Sequence, residues 1–250
     1  MTAAEIQKPC KLTIVIPCFN EEKTLEACIN RVFSIEDNNL SLEVIIVDDD
    51  STDGSLTIAS TLADKHPRII ILRHKTNQGK GASIRTGFKH ATGEFITIQD
   101  ADLELDPTDL KRLLIPLMEG SADVVFGSRF YKTENYETSP FWHYTANKFL
   151  TFLSNFLSGL KLTDMECCYK MFKRELIQQI IIKENRFGVE PELVAKVAQI
   201  KPRVAEMGIS YNRRTYQEGK KIGFRDGIRT IYCIVLYNLP RLFRHLKGKI

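Results

Sequence analysis

The sequence predicts an α/β protein with a mostly parallel central sheet and helices on both faces. Three observations carry this expectation. Short β-rich apolar runs alternate with amphipathic segments through the first half of the chain. The first run, Leu12–Pro17, is apolar without alternation, as expected of a strand covered on both faces. Several runs end in acidic or glycine-bearing turns, the places where ligands bind in such sheets.

The elements follow in order. After the first strand, Asn20 is read as capping a helix, with Glu21 and Glu22 in its first turn. Leu25, Ile29, Val32 and Phe33 then recur at helical spacing. Glu43–Val47 is the second strand and Ser51–Asp64 its helix. Ile69–Arg73, a Gly-rich turn and Ser83–His90 repeat the unit. Glu94–Gln99 is a fourth strand, Pro107–Glu119 a helix opened by Asp106-Pro107, and Asp123–Gly127 a fifth strand. After Arg129 the pattern changes: Phe130–Phe156 holds nine aromatic residues in 27, the only Trp among them. A polar segment around Asp164 follows, then a short strand near Tyr169–Lys173, a helix near Glu190–Gln199 and a strand near Arg203–Tyr211. Gly223–Ile250 reads as a long helix interrupted at Pro240.

Composition narrows the class. The 250 residues are 43% hydrophobic and 26% charged, enough for one substantial core without a disulfide or structural metal. Lys plus Arg (35) against Asp plus Glu (31) gives +4, too mild a balance to argue for a nucleic-acid partner. The six cysteines lack CxxC or Cys/His metal spacing, which suits reduced, buried thiols in a cytosolic protein. MTAAEIQKPCK has no apolar signal core, and no window reaches the ~18 apolar residues of a membrane span. Secreted, collagenous and integral-membrane classes are excluded on these grounds.

The charges at the strand ends carry the chemistry. Strand one runs into Pro17-Cys18-Phe19-Asn20-Glu21, strand two into Asp48-Asp49-Asp50, strand four into Asp100-Ala101-Asp102-Leu103-Glu104, and strand five into Gly127-Ser128-Arg129. So many carboxylates on one rim repel unless a cation or a donor-rich ligand sits among them. In an extended segment Asp100 and Asp102 point the same way, so both reach one hard divalent ion, Mg²⁺ or Mn²⁺, with Glu104 continuing the series. The plain alternative is an acidic helix N-terminus ahead of Asp106-Pro107. Asp48-Asp49-Asp50 reads either as an Asx-type turn or as a carboxylate, chiefly Asp49, that accepts from a base or ribose. Asn77-Gln78-Gly79-Lys80-Gly81 joins a strand to a helix with two glycines, so backbone can approach a ligand closely. It fits neither a Walker loop nor a dinucleotide fingerprint.

VIPCFNEEKTL (15–25), IIVDDDSTDGS (45–55), NQGKGASIRTG (77–87), QDADLELDP (99–107) and GSRF (127–130) resemble family 2 glycosyltransferases of the GT-A fold. LTDMECCYKMFKREL (162–176), RFGVEPEL (186–193) and RRTYQEGKKIGFRDG (213–227) look like the branch that includes dolichyl-phosphate mannose synthases and bacterial polyprenyl-phosphate glycosyltransferases. The resemblance implies an inverting enzyme that moves a sugar from a nucleotide diphosphate to a polyprenyl phosphate. It implies one GT-A domain, with a nucleotide-binding half over 10–130, an acceptor half over 131–222 and an amphipathic helix over 223–250. By the same likeness Pro17, Phe19, Glu21, Val47 and Asp49 line the nucleoside pocket, with Gly79, Lys80 and Ala101 on the nucleotide sugar. Asp100, Asp102 and Glu104 hold the metal, and Arg129, Arg214, Lys220 and Lys221 meet phosphates. Asp50 stands where relatives carry Gly or Asn, Glu104 where Gln is common, and the transmembrane helices of many bacterial relatives are missing.

A phosphate monoester is mostly dianionic at neutral pH, so it attacks without a base, and positioning and charge stabilisation suffice. A sugar hydroxyl needs a base, for which Asp164 is the candidate; the alternative is that Asp164 orients a cationic acceptor residue. Cys167-Cys168 reads as core packing. Ile228, Ile231, Val235, Leu239, Leu242 and Leu246 form one helical stripe beside Arg241, Arg244, Lys247 and Lys249, as on an interfacial helix. The same stripe also fits packing on the core or on a partner. The expectation is a peripheral protein on the cytoplasmic face of a membrane, docked directly or through a membrane-anchored partner. The alternatives are a transferase for a soluble glycan or small molecule and a non-catalytic nucleotide-sugar-binding subunit.

Overall fold

The computed structural model describes residues 8–131, 141–213 and 224–247. The order is β1 (Cys10–Cys18), α1 (Leu25–Phe33), β2 (Leu40–Asp48), α2 (Ser55–Lys65), β3 (Ile69–Arg73), α3 (Lys80–His90), β4 (Phe95–Ile98), α4 (Thr108–Met118) and β5 (Val124–Ser128). Then come α5 (Phe141–Ser158), β6 (Lys170–Lys173), α6 (Arg174–Ile177), α7 (Val189–Ile200), β7 (Val204–Gly208) and α8 (Phe224–Lys247). The seven strands form one sheet ordered β3-β2-β1-β4-β6-β5-β7. Only β6 runs against its neighbours.

The chain winds outward from β1 to β2 and β3, then returns so that β4 pairs with the other side of β1. That reversal is the switch point of the sheet, and it opens a crevice outside the carboxyl ends of β1, β2 and β4. The register Cys18↔Asp48 and Val15↔Ile98 brings the acidic turns predicted from sequence onto this one rim. Leu12, Ile14, Val15, Ile16 and Val44–Val47 are fully buried, as their unbroken apolar character requires.

Several local expectations are corrected. Asn20 does not cap a helix: it sits at φ 54°, and its Oδ1 accepts from the Thr52 amide at 2.8 Å. The helix begins later, at Leu25. Likewise residues 51–54 are spent on the rim, and α2 starts at Ser55, where the Asp53 carboxylate accepts the Ser55 amide. Both shifts have one cause, since polar side chains after a strand end can bond the neighbouring turn instead of their own helix. The helix α8 runs through Pro240 without a break. Its stripe of Ile228, Ile231, Val235 and Leu239 faces outward, while Thr230, Cys233, Ile234 and Asn238 face the protein. Packing on the core is therefore overturned for the four outward residues, while the side chains of Leu242 and Leu246 lie outside the described residues.

Candidate active site

The first two rim turns are laced together. Asn20 and Glu21 donate their amides to Ser51 and Ser55 hydroxyls at 3.1 and 2.8 Å, and the Glu22 carboxylate accepts the Gly54 amide. Asn20 and Asp50 both lie in the left-handed region, the short polar side chains that tolerate it best, at the ends of adjacent strands. Pro17 and Phe19 are half-buried beside them, and Val47 is buried.

Asp49 does not offer its carboxylate to the crevice. Its Oδ1 accepts from His74 Nδ1 at 2.6 Å and from the Gln78 amide at 2.9 Å, and its Oδ2 accepts from the Gly79 amide at 2.6 Å. The Asn77 side chain donates to the Asp49 carbonyl. Asp49 thus ties the Gly-rich turn to the β2 end, and the acceptor role expected of it at the nucleoside is corrected. Asp48 differs: its Oδ1 is buried without a hydrogen-bond partner among the described residues, while Arg73 Nε lies 3.5 Å from its Oδ2. The glycines also differ from expectation. At Gly79 (φ 101°) a Cβ would come within 2.5 Å of the Asn185 carbonyl, and at Gly81 within 2.3 Å of the Glu184 carbonyl. They admit the 184–186 segment of this chain, so close approach by a ligand is not what their lack of side chain serves here.

At the β4 end, Lys80 Nζ lies 2.7 Å from Asp100 Oδ1 and 3.4 Å from Glu190 Oε1. Burial disfavours the Lys80 ammonium, but Asp100 and Glu190 outweigh it and hold its pKa well above the ordinary value. Asp102 is buried and its Oδ1 accepts the Glu104 amide at 3.0 Å, while Ala101 is buried behind it. Glu104 Oε2 accepts from the Tyr211 hydroxyl at 3.2 Å. The three expected metal ligands are therefore not gathered into one cage; among the described residues no group of three or more such ligands is. Hard carboxylate oxygens on an acidic rim still fit Mg²⁺ or Mn²⁺, which takes one or two carboxylates and completes its shell with water and phosphate oxygens.

At the β5 end Arg129 and Asp164 form a two-pronged pair. Arg129 Nε and an Nη donate to the two Asp164 oxygens at 2.7 and 2.9 Å, and the Arg129 amide adds a third bond at 3.0 Å. Asn147 supplies a fourth donor at 3.2 Å. Burial works against the Asp164 charge, yet the Arg129 guanidinium and these donors keep its carboxyl below the usual range. The guanidinium is sandwiched near the Phe130 and Tyr211 rings, at 5.5 and 5.3 Å. Lys148 Nζ lies over the Phe130 ring at 4.8 Å and donates to the Thr163 carbonyl. Arg214, Lys220 and Lys221 lie outside the described residues.

Between these two centres is a buried charge cluster that the strand-end reasoning missed. Lys170, wholly buried, donates to Glu190 Oε2 and to the Cys167 carbonyl. Glu190 is thereby shared by Lys170 and Lys80. Two sequence signals could have found it: a Lys within the apolar strand YKMF, and paired Glu within the apolar helix VEPELV. Cys167 and Cys168 are buried, as expected, and burial pushes the Cys167 thiol up to about 12.

Glu166 borders the same cluster. Burial first, and then Glu190, push its carboxyl up to about 7 from 4.5. Between pH 4.5 and 7 the unfolded chain has already released that proton while the folded chain keeps it, so stability falls as pH rises through this window. Glu166→Gln is expected to remove that part of the fall. In urea unfolding its stability relative to wild type should improve by about 2 kcal/mol from pH 5 to pH 8. An unchanged difference between the two pH values would contradict a neutral folded carboxyl.

Comparison with known proteins follows this geometry. The pattern of Glycosyl transferase family 2 matches residues 13–181. A dolichyl-phosphate beta-glucosyltransferase of Trichomonas vaginalis is 27% identical over 214 residues, covering 80% of this chain and 65% of that protein. A dolichol-phosphate mannosyltransferase of Pyrococcus furiosus is 27% identical over 233 residues, 90% of this chain and 64% of that protein. An undecaprenyl-phosphate 4-deoxy-4-formamido-L-arabinose transferase of Aeromonas hydrophila is 28% identical over 226 residues, 90% and 66% respectively. The chain thus spans just under two thirds of the length of these relatives. Among solved structures, glucosyl-3-phosphoglycerate synthase from Mycobacterium tuberculosis with Mn²⁺, UDP and phosphoglyceric acid superposes with TM-score 0.69 at 16% identity, covering 92% of this chain and 79% of that one. The UDP complex of the same protein gives 0.70 at 17% identity, covering 92% and 80%. This likeness shows the GT-A fold.

Proposed function

The chain belongs to glycosyl transferase family 2, and from that premise we propose that it moves a hexose, with inversion, from a nucleoside diphosphate sugar of the GDP-mannose or UDP-glucose type to a polyprenyl or dolichyl phosphate. The observation that carries this reading is the Arg129–Asp164 fork at the end of β5, on the same edge of the sheet as the carboxylates at the ends of β1, β2 and β4. A guanidinium fixed by a buried carboxylate, with two aromatic rings near it, suits contact with a phosphate through its remaining N–H groups. The three curated relatives described above act, by their names, on dolichyl or undecaprenyl phosphates.

In the proposed step an acceptor phosphate oxygen forms a bond to the anomeric carbon as the bond from that carbon to the nucleoside diphosphate breaks. The acceptor dianion needs no base. Asp164 accordingly orients Arg129: its oxygens already accept four hydrogen bonds, and its lowered pKa makes it a weak base. Lys80 places positive charge beside Asp100, where the leaving diphosphate would gather negative charge. We assign the metal chiefly to Asp102, with Asp100 and Glu104 beside it; a bound Mg²⁺ or Mn²⁺ would stabilise the leaving diphosphate as a Lewis acid. Pro17, Phe19, Glu21 and Val47 frame the nucleoside, with Asp48 replacing Asp49 as the base acceptor. Arg214, Lys220 and Lys221 remain assigned to phosphates.

No helix among the described residues is long and apolar enough to cross a membrane. Instead α5 and α8 pack together and present Phe149, Phe152, Phe156, Ile228 and Tyr232 outward, with Phe156 75% exposed. A face this apolar, continued by the basic end of the α8 sequence, suits the cytoplasmic surface of an anionic bilayer that carries the acceptor. One experiment tests both parts: transfer from UDP- and GDP-sugars to polyprenyl phosphate in anionic vesicles, with Mg²⁺ or Mn²⁺, comparing wild type with Asp102→Ala. The expected result is vesicle binding by both proteins, turnover of one donor, and at least a hundredfold loss in the variant, on the order seen when a single charge-stabilising group is removed. Turnover only on a soluble acceptor, or none on any acceptor with tight donor binding, would overturn the lipid-phosphate reading.

A further inference from the structure

Glu166 lies on the segment joining α5 to β6, two residues beyond Asp164. Its Oε1 is buried and has no hydrogen-bond partner among the described residues. Glu190 Oε1 is in the same condition, with only the Lys80 ammonium at 3.4 Å. Glu190, Lys170, Arg129 and Asp164 are the charged groups that act on Glu166. Glu166 therefore belongs to a set of charged groups that links the Lys80–Asp100 pair, through Glu190, to the Arg129–Asp164 pair two residues away in sequence.

In an in-line displacement the group being transferred occupies the space between entering and leaving phosphates. The charged groups that link the two phosphate ends here include two buried carboxyl oxygens without a hydrogen bond, Glu166 Oε1 and Glu190 Oε1, the second with the Lys80 ammonium at 3.4 Å. A buried acceptor without a donor is costly, and natural proteins leave few of them. A hexose brings hydroxyl donors, whereas a phosphate or a hydrocarbon chain brings none. We propose that Glu166 is a specificity-determining residue that binds a hydroxyl of the transferred hexose through Oε1, with Glu190 Oε1 as a second acceptor on the same sugar. The inference rests on the transfer reading above and names the part of the donor that reading leaves open: a hexose with a free hydroxyl facing Glu166, in preference to a sugar deoxygenated there. A site built around such a bond rejects an analogue lacking the hydroxyl strongly, because its own polar group is then stranded.

The test compares binding of the nucleoside diphosphate alone with that of its sugar conjugate, by calorimetry on the full chain. UDP, GDP, UDP-glucose, GDP-mannose and singly deoxygenated forms of the preferred donor are the probes, with wild type, Glu166→Ala and Glu166→Gln as proteins. The expected result for the Ala variant is roughly tenfold or greater weakening toward the sugar nucleotide, with affinity for the free nucleotide within about twofold. The Gln variant, which still offers an acceptor, should recover most of the affinity. Wild type should discriminate against one deoxy position, and the Ala variant should lose that discrimination. Equal weakening toward nucleotide and sugar nucleotide would reduce Glu166 to a structural role, and no change in either would remove it from the sugar site. Wild type that binds neither UDP nor GDP would overturn the transferase reading itself.

Discussion

Arg129→Ala should cut kcat/KM for polyprenyl phosphate by about 10²- to 10³-fold while leaving nucleoside diphosphate affinity nearly unchanged. The asymmetry follows from position. Arg129 ends β5 and faces Asp164, whereas the nucleoside would sit at the ends of β1 and β2. Deleting the guanidinium also leaves Asp164, which has no exposed surface, with the residue 129 amide and Asn147 as its remaining donors among the described residues. Some loss of stability is therefore expected, and Arg129→Lys separates the two effects. Lysine keeps the charge but not the planar fork, so it should fold while still losing most of the acceptor-dependent rate. Full activity in a folded Arg129→Lys protein would refute phosphate recognition by this guanidinium.

Lys170→Met should lower unfolding free energy by about 3–5 kcal/mol, the largest stability effect expected here. The Lys170 side chain has no solvent exposure and meets Glu190 and the Cys167 carbonyl. Burial opposes its charge, but Glu190 more than offsets this and raises the lysine pKa. Methionine fills nearly the same volume, so the loss would come from stranding the Glu190 carboxylate, relieved only partly by Lys80 at 3.4 Å. The double variant Lys170→Met, Glu190→Gln should regain much of the loss, because a buried pair costs most when half of it is removed. Urea unfolding of the single and double variants decides the point: a single-variant loss below about 1 kcal/mol would mean that the cluster is solvated enough to shed its charges.

Much of the fold was legible because strands buried on both faces cannot hide: Leu12–Pro17 and Glu43–Val47 are recognisable as local runs, and the acidic turns after them mark the binding rim. Helix starts were less legible. Asn20 has the residue type and spacing of a cap, but its side chain bonds Thr52, thirty-two residues away. The antiparallel insertion of β6 between β4 and β5 was invisible too, since YKMF pairs with strands far from it in sequence.

The candidate site divides along the same line. Asp100, Asp102, Arg129 and the acidic turns lie at strand ends, so sequence position alone marks them as rim residues. What each one does depends on partners brought from elsewhere in the chain. Asp49 became the tether of the Gly-rich turn because His74 and the Gln78 and Gly79 amides converge on it. Asp164 became the support of Arg129 because α5 and β5 bring Asn147 and the guanidinium to it. Glu166, Lys170 and Glu190 entered the site only when β6 and α7 closed over Lys80. The sequence by itself determined the family, the order of strands and helices as far as β5 and the acidic rim, because these are written in short-range pattern. Only the tertiary structure decided which carboxylates are spent on protein donors and which remain for a ligand, because hydrogen bonds and ion pairs form between side chains that folding, not spacing, makes neighbours.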